Sequence, residues 1–182
     1  MTDEVYRSAA PIDVSCLLIT TLWAQLRSKD PRTRVGACVY DPHSGGIYLG
    51  YNGFPVGMPD LKSVWDNRDP DTGKAAYVIH GESNAIRKAA AALGDLSACV
   101  LYVTHYPCRY CMKDHIVPSG LRHVVYLNPR PDTVTDELAR VCDIDITRSL
   151  LDVNVVNECT KDWAEWPKTI TITERKSELY GS

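Results

Sequence analysis

The chain has 182 residues, 45% of them hydrophobic and 24% charged, with a formal net charge of -3 and a pI of about 5.9. That length suits one domain with a proper core. The mildly acidic balance argues against a nucleic-acid partner, which calls for a basic surface, and no apolar run reaches the length of a membrane span.

The first residues, MTDEVYRSAAPIDVS, lack the basic-then-apolar pattern of a signal peptide. Seven cysteines are present, at 16, 38, 99, 108, 111, 142 and 159. Only Cys108 and Cys111 stand at ligand spacing; the others read as small buried hydrophobes. A reducing compartment follows, the cytoplasm (or host cytoplasm for a viral source).

Apolar residues at Ile12, Leu17, Leu18, Leu22 and Leu26 repeat near the helical period, so Ile12 to Arg27 is expected as a helix, with Asp13 and Ser15 as cap candidates. Pro31 stops it. The segment Ser28-Lys29-Asp30-Pro31-Arg32-Thr33-Arg34 carries three cations suited to an anionic group, or to a plain solvated loop.

Val35 to Tyr40 predicts a buried strand. Asp41 to Gly46 is turn-like, and Ile47 to Tyr51 is the return strand of an antiparallel hairpin. His43 falls in the turn and is expected on the surface. Next come Gly50-Tyr51-Asn52-Gly53-Phe54-Pro55-Val56-Gly57, whose glycines permit unusual backbone and close approach of a ligand. Residues 58–76 read as a long loop with a short helix near Leu61 to Trp65, of a kind that often forms lids.

Gly81 to Leu93 is strongly helical and Gly94 stops it. Cys99 to Thr104 predicts a strand, Cys108 to Val117 a helix, His123 to Leu127 a strand, Thr133 to Cys142 a helix and Ile144 to Thr147 a short strand. The order implies an α/β fold with a mixed sheet covered on both faces. Residues 1–150 are expected to form one domain. Residues 151–182 are expected as an extension packed on it or on a neighbouring subunit, with a strand at Thr169 to Thr173.

The chemistry concentrates between His80 and Cys111. His80-Gly81-Glu82 opens this stretch and Pro107-Cys108-Arg109-Tyr110-Cys111 closes it. His80, Cys108 and Cys111 are ligands for a borderline-soft cation, and zinc fits best. Three protein ligands leave one tetrahedral position for water, as in catalytic zinc sites, whereas a structural site has four. No convincing fourth ligand stands nearby; His105, His115 and His123 are discounted. Both ligand segments are expected at helix N-termini, where outward N–H groups favour thiolates and other anions.

The pattern H-x-E…P-C-x-x-C is the signature of zinc deaminases. Zinc lowers the pKa of water to roughly 7. Glu82 is then placed to take the water proton, give it to N3 of a cytosine and then help protonate the leaving amine, work worth roughly two to four decades in rate. The Gly81 N–H and the Pro107 carbonyl are candidate backbone contacts to the ring carbonyl and the amine.

Beyond these ligands the chain resembles the deoxycytidylate (dCMP) deaminase family. The resemblance rests on Ser28-Lys29-Asp30-Pro31, Val35-Gly36-Ala37-Cys38, Gly50 to Gly57, Tyr77 to His80, Glu82 with Asn84-Ala85-Ile86, and Leu101 to Thr104 before Pro107-Cys108. It covers residues 10–147.

It implies a three-layer α/β/α fold with a five-stranded mixed sheet, and hydrolysis of dCMP to dUMP and ammonia as a supply for thymidylate synthesis. It also implies a homo-oligomer, often a hexamer, activated by dCTP with Mg2+ and inhibited by dTTP. The resemblance carries over Asn52 as a substrate contact and Asn52, Gly53, Pro55 and Gly57 as effector candidates. A substrate phosphate would explain Lys29, Arg32 and Arg34; spacing does not choose among them.

The chain departs from the family's usual H-A-E-L-N at Gly81 and Ser83, and after Cys108 at Arg109, Tyr110 and Met112. Small side chains at Gly81 and Ser83 suggest a roomier pocket and hence a 5-methyl- or 5-hydroxymethyl-dCMP substrate. The same ligands would also serve a nucleoside or tRNA deaminase of the same superfamily, or a non-catalytic nucleotide-sensing zinc module. The intact Glu82 stands against the non-catalytic module.

Overall fold

In the computed structural model, residues 11–149 are described. The first helix, α1, spans Ile12–Arg27. The strands β1 (Gly36–Tyr40) and β2 (Ile47–Tyr51) form the expected hairpin. Two short helices follow, α2 (Lys62–Asp66) and α3 (Lys74–Tyr77). Then come α4 (Gly81–Leu93), β3 (Val100–His105) and α5 (Arg109–Cys111). Last are β4 (His123–Asn128), α6 (Thr133–Val141) and β5 (Asp145–Arg148).

The sheet order is β2-β1-β3-β4-β5. β1 pairs antiparallel with β2 and β3; β3–β4 and β4–β5 are parallel. The sheet is therefore mixed, as expected. The period-2 alternation of strands divides the core. Ala37, Val39, Leu101 and Val103 pack with Ala85, Ile86 and Ala89 of α4 and with Met112 and Ile116. The alternate residues Cys38 and Tyr102 pack with Cys16 and Leu17 of α1. The sheet thus lies between helices on opposite faces, the three-layer arrangement.

Two glycines are fixed by close approach. A Cβ on Gly36 would meet the Thr20 carbonyl oxygen of α1 at 2.3 Å, and one on Gly50 would meet the Gly81 carbonyl oxygen of α4 at 2.2 Å. Both obstacles are backbone, so neither helix seats without the glycine. What approaches Gly50 is α4, where the sequence suggested a ligand. Lys88 Nζ and Asn84 Nδ2 on α4 donate to the Leu49 and Tyr51 carbonyls at 2.7 and 2.9 Å, fastening the helix across β2.

Some expectations shift. Neither Asp13 nor Ser15 caps α1: the N-cap is Pro11, and Asp13 instead accepts from the Tyr102 hydroxyl. The helix expected over Cys108 to Val117 starts at the right place, but Met112–Ile116 widens to a π-helical turn and Val117–Ser119 tightens to a 3-10 turn. The loop at 58–76 does carry α2 near the expected position, and α3 follows it; four residues of Lys-Ala-Ala-Tyr show no period to read. The expected extension at 151–182 and its strand lie outside the described residues. Among the described residues no helix is long and apolar enough to cross a membrane.

Candidate metal centre and substrate cavity

His80 is the residue before α4, and Cys108 the residue before α5. The isolated bridge between Gly53 and Ile79 (N–H···O distances 3.1 and 2.8 Å) fixes the chain just ahead of His80. β3 delivers Cys108, and one turn later Cys111 returns to the same face.

The ligand atoms of His80, Cys108 and Cys111 lie within 4.8 Å of one another. His80 Nδ1 is 3.2 Å from Cys111 Sγ and 3.5 Å from Cys108 Sγ. A tetrahedral zinc with ordinary Zn–N and Zn–S bonds holds N and S about 3.6 Å apart, so the donor set and its spacing fit zinc. Zinc ligation needs both thiols deprotonated, and of the two only Cys108 is acidic without the metal. The Cys108 thiol is pushed down to about 3, chiefly by a hydrogen bond from Cys111 and against its own burial, with His80 adding to the fall. Cys111 correspondingly holds its proton, because it donates to Cys108 and is buried.

Glu82 is 3% exposed. Its Oε2 is buried with no hydrogen-bond partner in the described residues. Burial pushes this carboxyl up, and the nearby His80 draws it partly back. A cavity of about 540 Å³ opens here, lined by His80, Glu82 and Cys108 and, further out, by Asn52, Lys74, His105, Tyr106, Arg109 and Arg130. That volume is within the usual range for small-molecule sites.

Asn52 borders the cavity but has nothing left to give. Its Oδ1 accepts from Ser28 Oγ at 2.7 Å and from the Val35 N–H at 2.8 Å. Its Nδ2 donates to Asp30 Oδ2 at 3.0 Å and to the Thr33 carbonyl at 2.9 Å. An amide has two donors and an acceptor oxygen with two lone pairs, and all four are taken. In this arrangement Asn52 shapes the wall and does not offer the substrate a hydrogen bond.

Asp30 anchors the same network. It accepts from the Arg32 and Thr33 N–H groups at 3.0 and 3.2 Å and pairs with Lys74 of α3. Burial raises its carboxyl, but Lys74 and the two backbone donors outweigh it and hold the group below the usual carboxylate range. The Phe54 ring stacks on Trp65 at 4.0 Å between centroids. The loop carrying α2 and α3 is therefore pinned at both ends beside the cavity, where Lys74, Ala75 and Val78 form part of the wall.

The three cations expected at a phosphate are not brought to the cavity. Lys29 Nζ pairs with Asp60 Oδ2 at 2.6 Å on the surface. Arg34 donates to Gln25 at 3.1 and 3.2 Å, and Arg32 is absent from the lining. The cations that do line it are Lys74, Arg109 and Arg130. Lys74 is paired with Asp30, and Arg109 with Asp132 at 3.1 Å. Arg130 has no carboxylate partner among the described residues.

Sequence reasoning missed Arg130 and discounted His105 as a ligand without giving it another task. A usable signal existed: both follow or end parallel strands, β4 and β3, and ligands of open α/β sheets gather at the carboxyl ends of such strands.

Other candidates are placed as follows. Gly81 lines neither of the two cavities beside the metal ligands; a Cβ there would come 3.0 Å from the Val35 carbonyl oxygen of the chain entering β1. Ser83 lines a second cavity behind His80 and Cys111. Neither is among the residues lining the cavity that holds Glu82. Pro107 is outside both linings, and its carbonyl accepts from Thr135 Oγ1 at 3.2 Å. Gly53, Pro55 and Gly57 are also outside both linings. Pro55 to Gly57 form an outward tip where Gly57 has φ 90° and Val56 is fully exposed.

Residues 14–128 match the family model for the cytidine and deoxycytidylate deaminase zinc-binding region. The chain belongs to this family. Among its relatives, a probable deoxycytidylate deaminase of Caenorhabditis elegans is 42% identical over 115 residues, 63% of this chain and 54% of that protein. The human deoxycytidylate deaminase is 36% identical over 107 residues, 57% of this chain and 58% of that one. The chain spans about half the length of the curated relatives it matches. In structure it resembles the dCMP deaminase of the cyanophage S-TIM5 in complex with dCMP and dUMP. That match has a TM-score of 0.63 and 26% identity, and covers 79% of this chain and all of that one. The family's zinc-binding character and the His80–Cys108–Cys111 cluster agree on a zinc centre.

Proposed function

We propose that this protein deaminates dCMP hydrolytically to dUMP and ammonia, with zinc held by His80, Cys108 and Cys111 and Glu82 as the catalytic acid–base. The observation that carries this is Glu82: a buried carboxylate with an unpartnered oxygen, beside a three-ligand metal cluster, in a nucleotide-sized cavity. Among the described residues nothing hydrogen-bonds to that oxygen, so its cost is retained for chemistry.

Zinc, when bound, supplies the Lewis acidity that makes water a nucleophile near neutral pH. Glu82 takes a proton from the attacking water and gives it to N3 of the ring, then takes the proton of the new C4 hydroxyl and gives it to the departing amine, leaving a carbonyl at C4. Burial raises its carboxyl toward the pH at which it works, which favours both halves of that shuttle. The walls from Asn52 and Val35 hold the nucleoside, and Arg130 meets the 5′-phosphate as the one lining cation without a carboxylate partner among the described residues. A nucleotide substrate is also what the cyanophage relative binds.

The outward tip of Pro55 to Gly57, with Gly53 behind it, remains the proposed effector contact for dCTP with Mg2+ and for dTTP, and a homo-oligomer such as a hexamer in the cytoplasm remains the proposed setting. The deciding experiment follows the loss of cytosine absorbance with dCMP, deoxycytidine and cytosine, with zinc quantified on the same sample. Turnover of dCMP far above deoxycytidine, in proportion to zinc, is expected. Equal turnover of the two would overturn the nucleotide reading, and zinc without turnover would favour a binding module.

A further inference from the structure

β3 ends in two polar residues that the proposed mechanism leaves unused. Thr104 is buried. Its Oγ1 accepts from the Gly36 N–H of β1 at 3.1 Å. The hydroxyl has one proton to give and two acceptors within reach: the Gly36 carbonyl at 3.5 Å and His105 Nδ1 at 3.1 Å. Hydroxyl hydrogen bonds are best near 2.7–2.8 Å and fade with stretching, which favours donation to the nearer Nδ1 over donation to the carbonyl with Nδ1 as donor. A neutral imidazole that accepts at Nδ1 carries its own hydrogen on Nε2. Burial, and then the Arg130 guanidinium, push His105 below the ordinary histidine range and keep it neutral.

The strand pairing thus delivers a fixed N–H donor. His105 lines the same cavity as Arg130, and its Nε2–H meets no acceptor among the described residues. The metal end of the cavity, with Glu82, is where the ring must go; Arg130 marks the anionic end. A neutral donor beside Arg130 adds a hydrogen bond to a phosphate oxygen without adding a second positive charge near the metal ligands.

We propose that His105 is a positioning residue for the reaction: its Nε2–H, oriented by the Gly36–Thr104–His105 relay, donates to the 5′-phosphate held by Arg130. This rests on the dCMP reading above.

The test compares kcat/KM for dCMP and deoxycytidine in wild type, His105→Ala, His105→Gln and Thr104→Val. A hydrogen bond to a charged oxygen predicts a loss of about ten- to a hundredfold for dCMP in His105→Ala, mostly in KM, with deoxycytidine unchanged. Glutamine brings an amide N–H near the position of Nε2 and should restore most of the loss. Thr104→Val should show a smaller loss, again confined to dCMP, and a nitrogen NMR spectrum should place the imidazole hydrogen on Nε2 in wild type. Equal losses on both substrates would make His105 merely structural and overturn the proposal while leaving the dCMP reading intact. A wild type indifferent to the phosphate would overturn both.

Discussion

The metal cluster and the Asn52 cluster share one cavity wall and are built on opposite rules. At the metal cluster polar atoms are left open: three ligand atoms face one another, and among the described residues no fourth ligand joins them and Glu82 Oε2 has no hydrogen-bond partner. At the Asn52 cluster they are closed: four hydrogen bonds saturate the amide, and Asp30 is held by Lys74 and by backbone N–H groups. Both are spelled by distinctive motifs. A motif whose polar atoms remain open is available for chemistry, whereas one whose atoms are closed fixes the shape in which the chemistry happens.

The largest effect should come from the open cluster. Glu82→Gln keeps the size of the side chain and removes its ability to carry a proton. Turnover should fall by roughly a hundred- to ten-thousandfold, with metal content unchanged by elemental analysis. Stripping zinc with a chelator should remove activity altogether and lower the melting temperature, since metal binding and folding are coupled. Activity should return in step with added zinc. Retention of turnover in Glu82→Gln would show that the open carboxylate is not the acid–base.

The closed cluster predicts the reverse pattern, a loss of stability ahead of chemistry. Removing one member of a buried charge pair costs about 3–5 kcal/mol, so Asp30→Ala should lower the melting temperature by on the order of ten degrees. Asp30→Asn separates charge from shape. The native carboxyl is held below the usual range, so its stabilisation is present above the unfolded value of about 3.9. It is lost as pH falls through the lower folded value. The stability gap between wild type and Asp30→Asn, measured by denaturant titration, should therefore be full at neutral pH and close under acid. A gap that does not depend on pH would mean the charge of Asp30 is not what the network uses.

Much of this was legible in the residues, for a definite reason. β1, β2, α4 and the metal ligands follow from local periodicity and local spacing, and each sits within a residue or so of its expected place. What was not legible depends on partners distant in the chain. The resemblance made Asn52 a substrate contact, and the four partners from residues 28 to 35 that occupy its amide cannot be read from its own neighbourhood. Gly50 looked open to a ligand, although α4 fills that space. The cations at 29, 32 and 34 looked like an anion site because sequence shows their charge but not their direction. The π-widened turn at Met112–Ile116 has no signal in a pattern read at 3.6 residues per turn.

A smaller effect should separate substrates and leave the fold intact. Arg130→Ala should raise KM for dCMP about tenfold or more, the scale of a charge-assisted hydrogen bond, and leave deoxycytidine unchanged. High salt should narrow the difference between wild type and variant, because the pair it removes is electrostatic and the cavity is open to solvent. A drop of the same size with deoxycytidine would instead place Arg130 among the residues that shape the wall.

The smallest effect should belong to the cations that sequence favoured. Lys29 is 67% exposed and its partner Asp60 32%, and an exposed pair of this kind contributes at most about 1 kcal/mol. Arg34 spends its guanidinium on the Gln25 carbonyl and side chain at the end of α1. Lys29→Ala and Arg34→Ala should therefore move the melting temperature by a few degrees at most and leave KM for dCMP where it was. The measurement is sharper than its size suggests. If either variant raises KM for dCMP as much as Arg130→Ala, the phosphate sits over the loop at residues 28–34, outside the cavity. The closed cluster beneath that loop would then belong to the binding site and not to its frame.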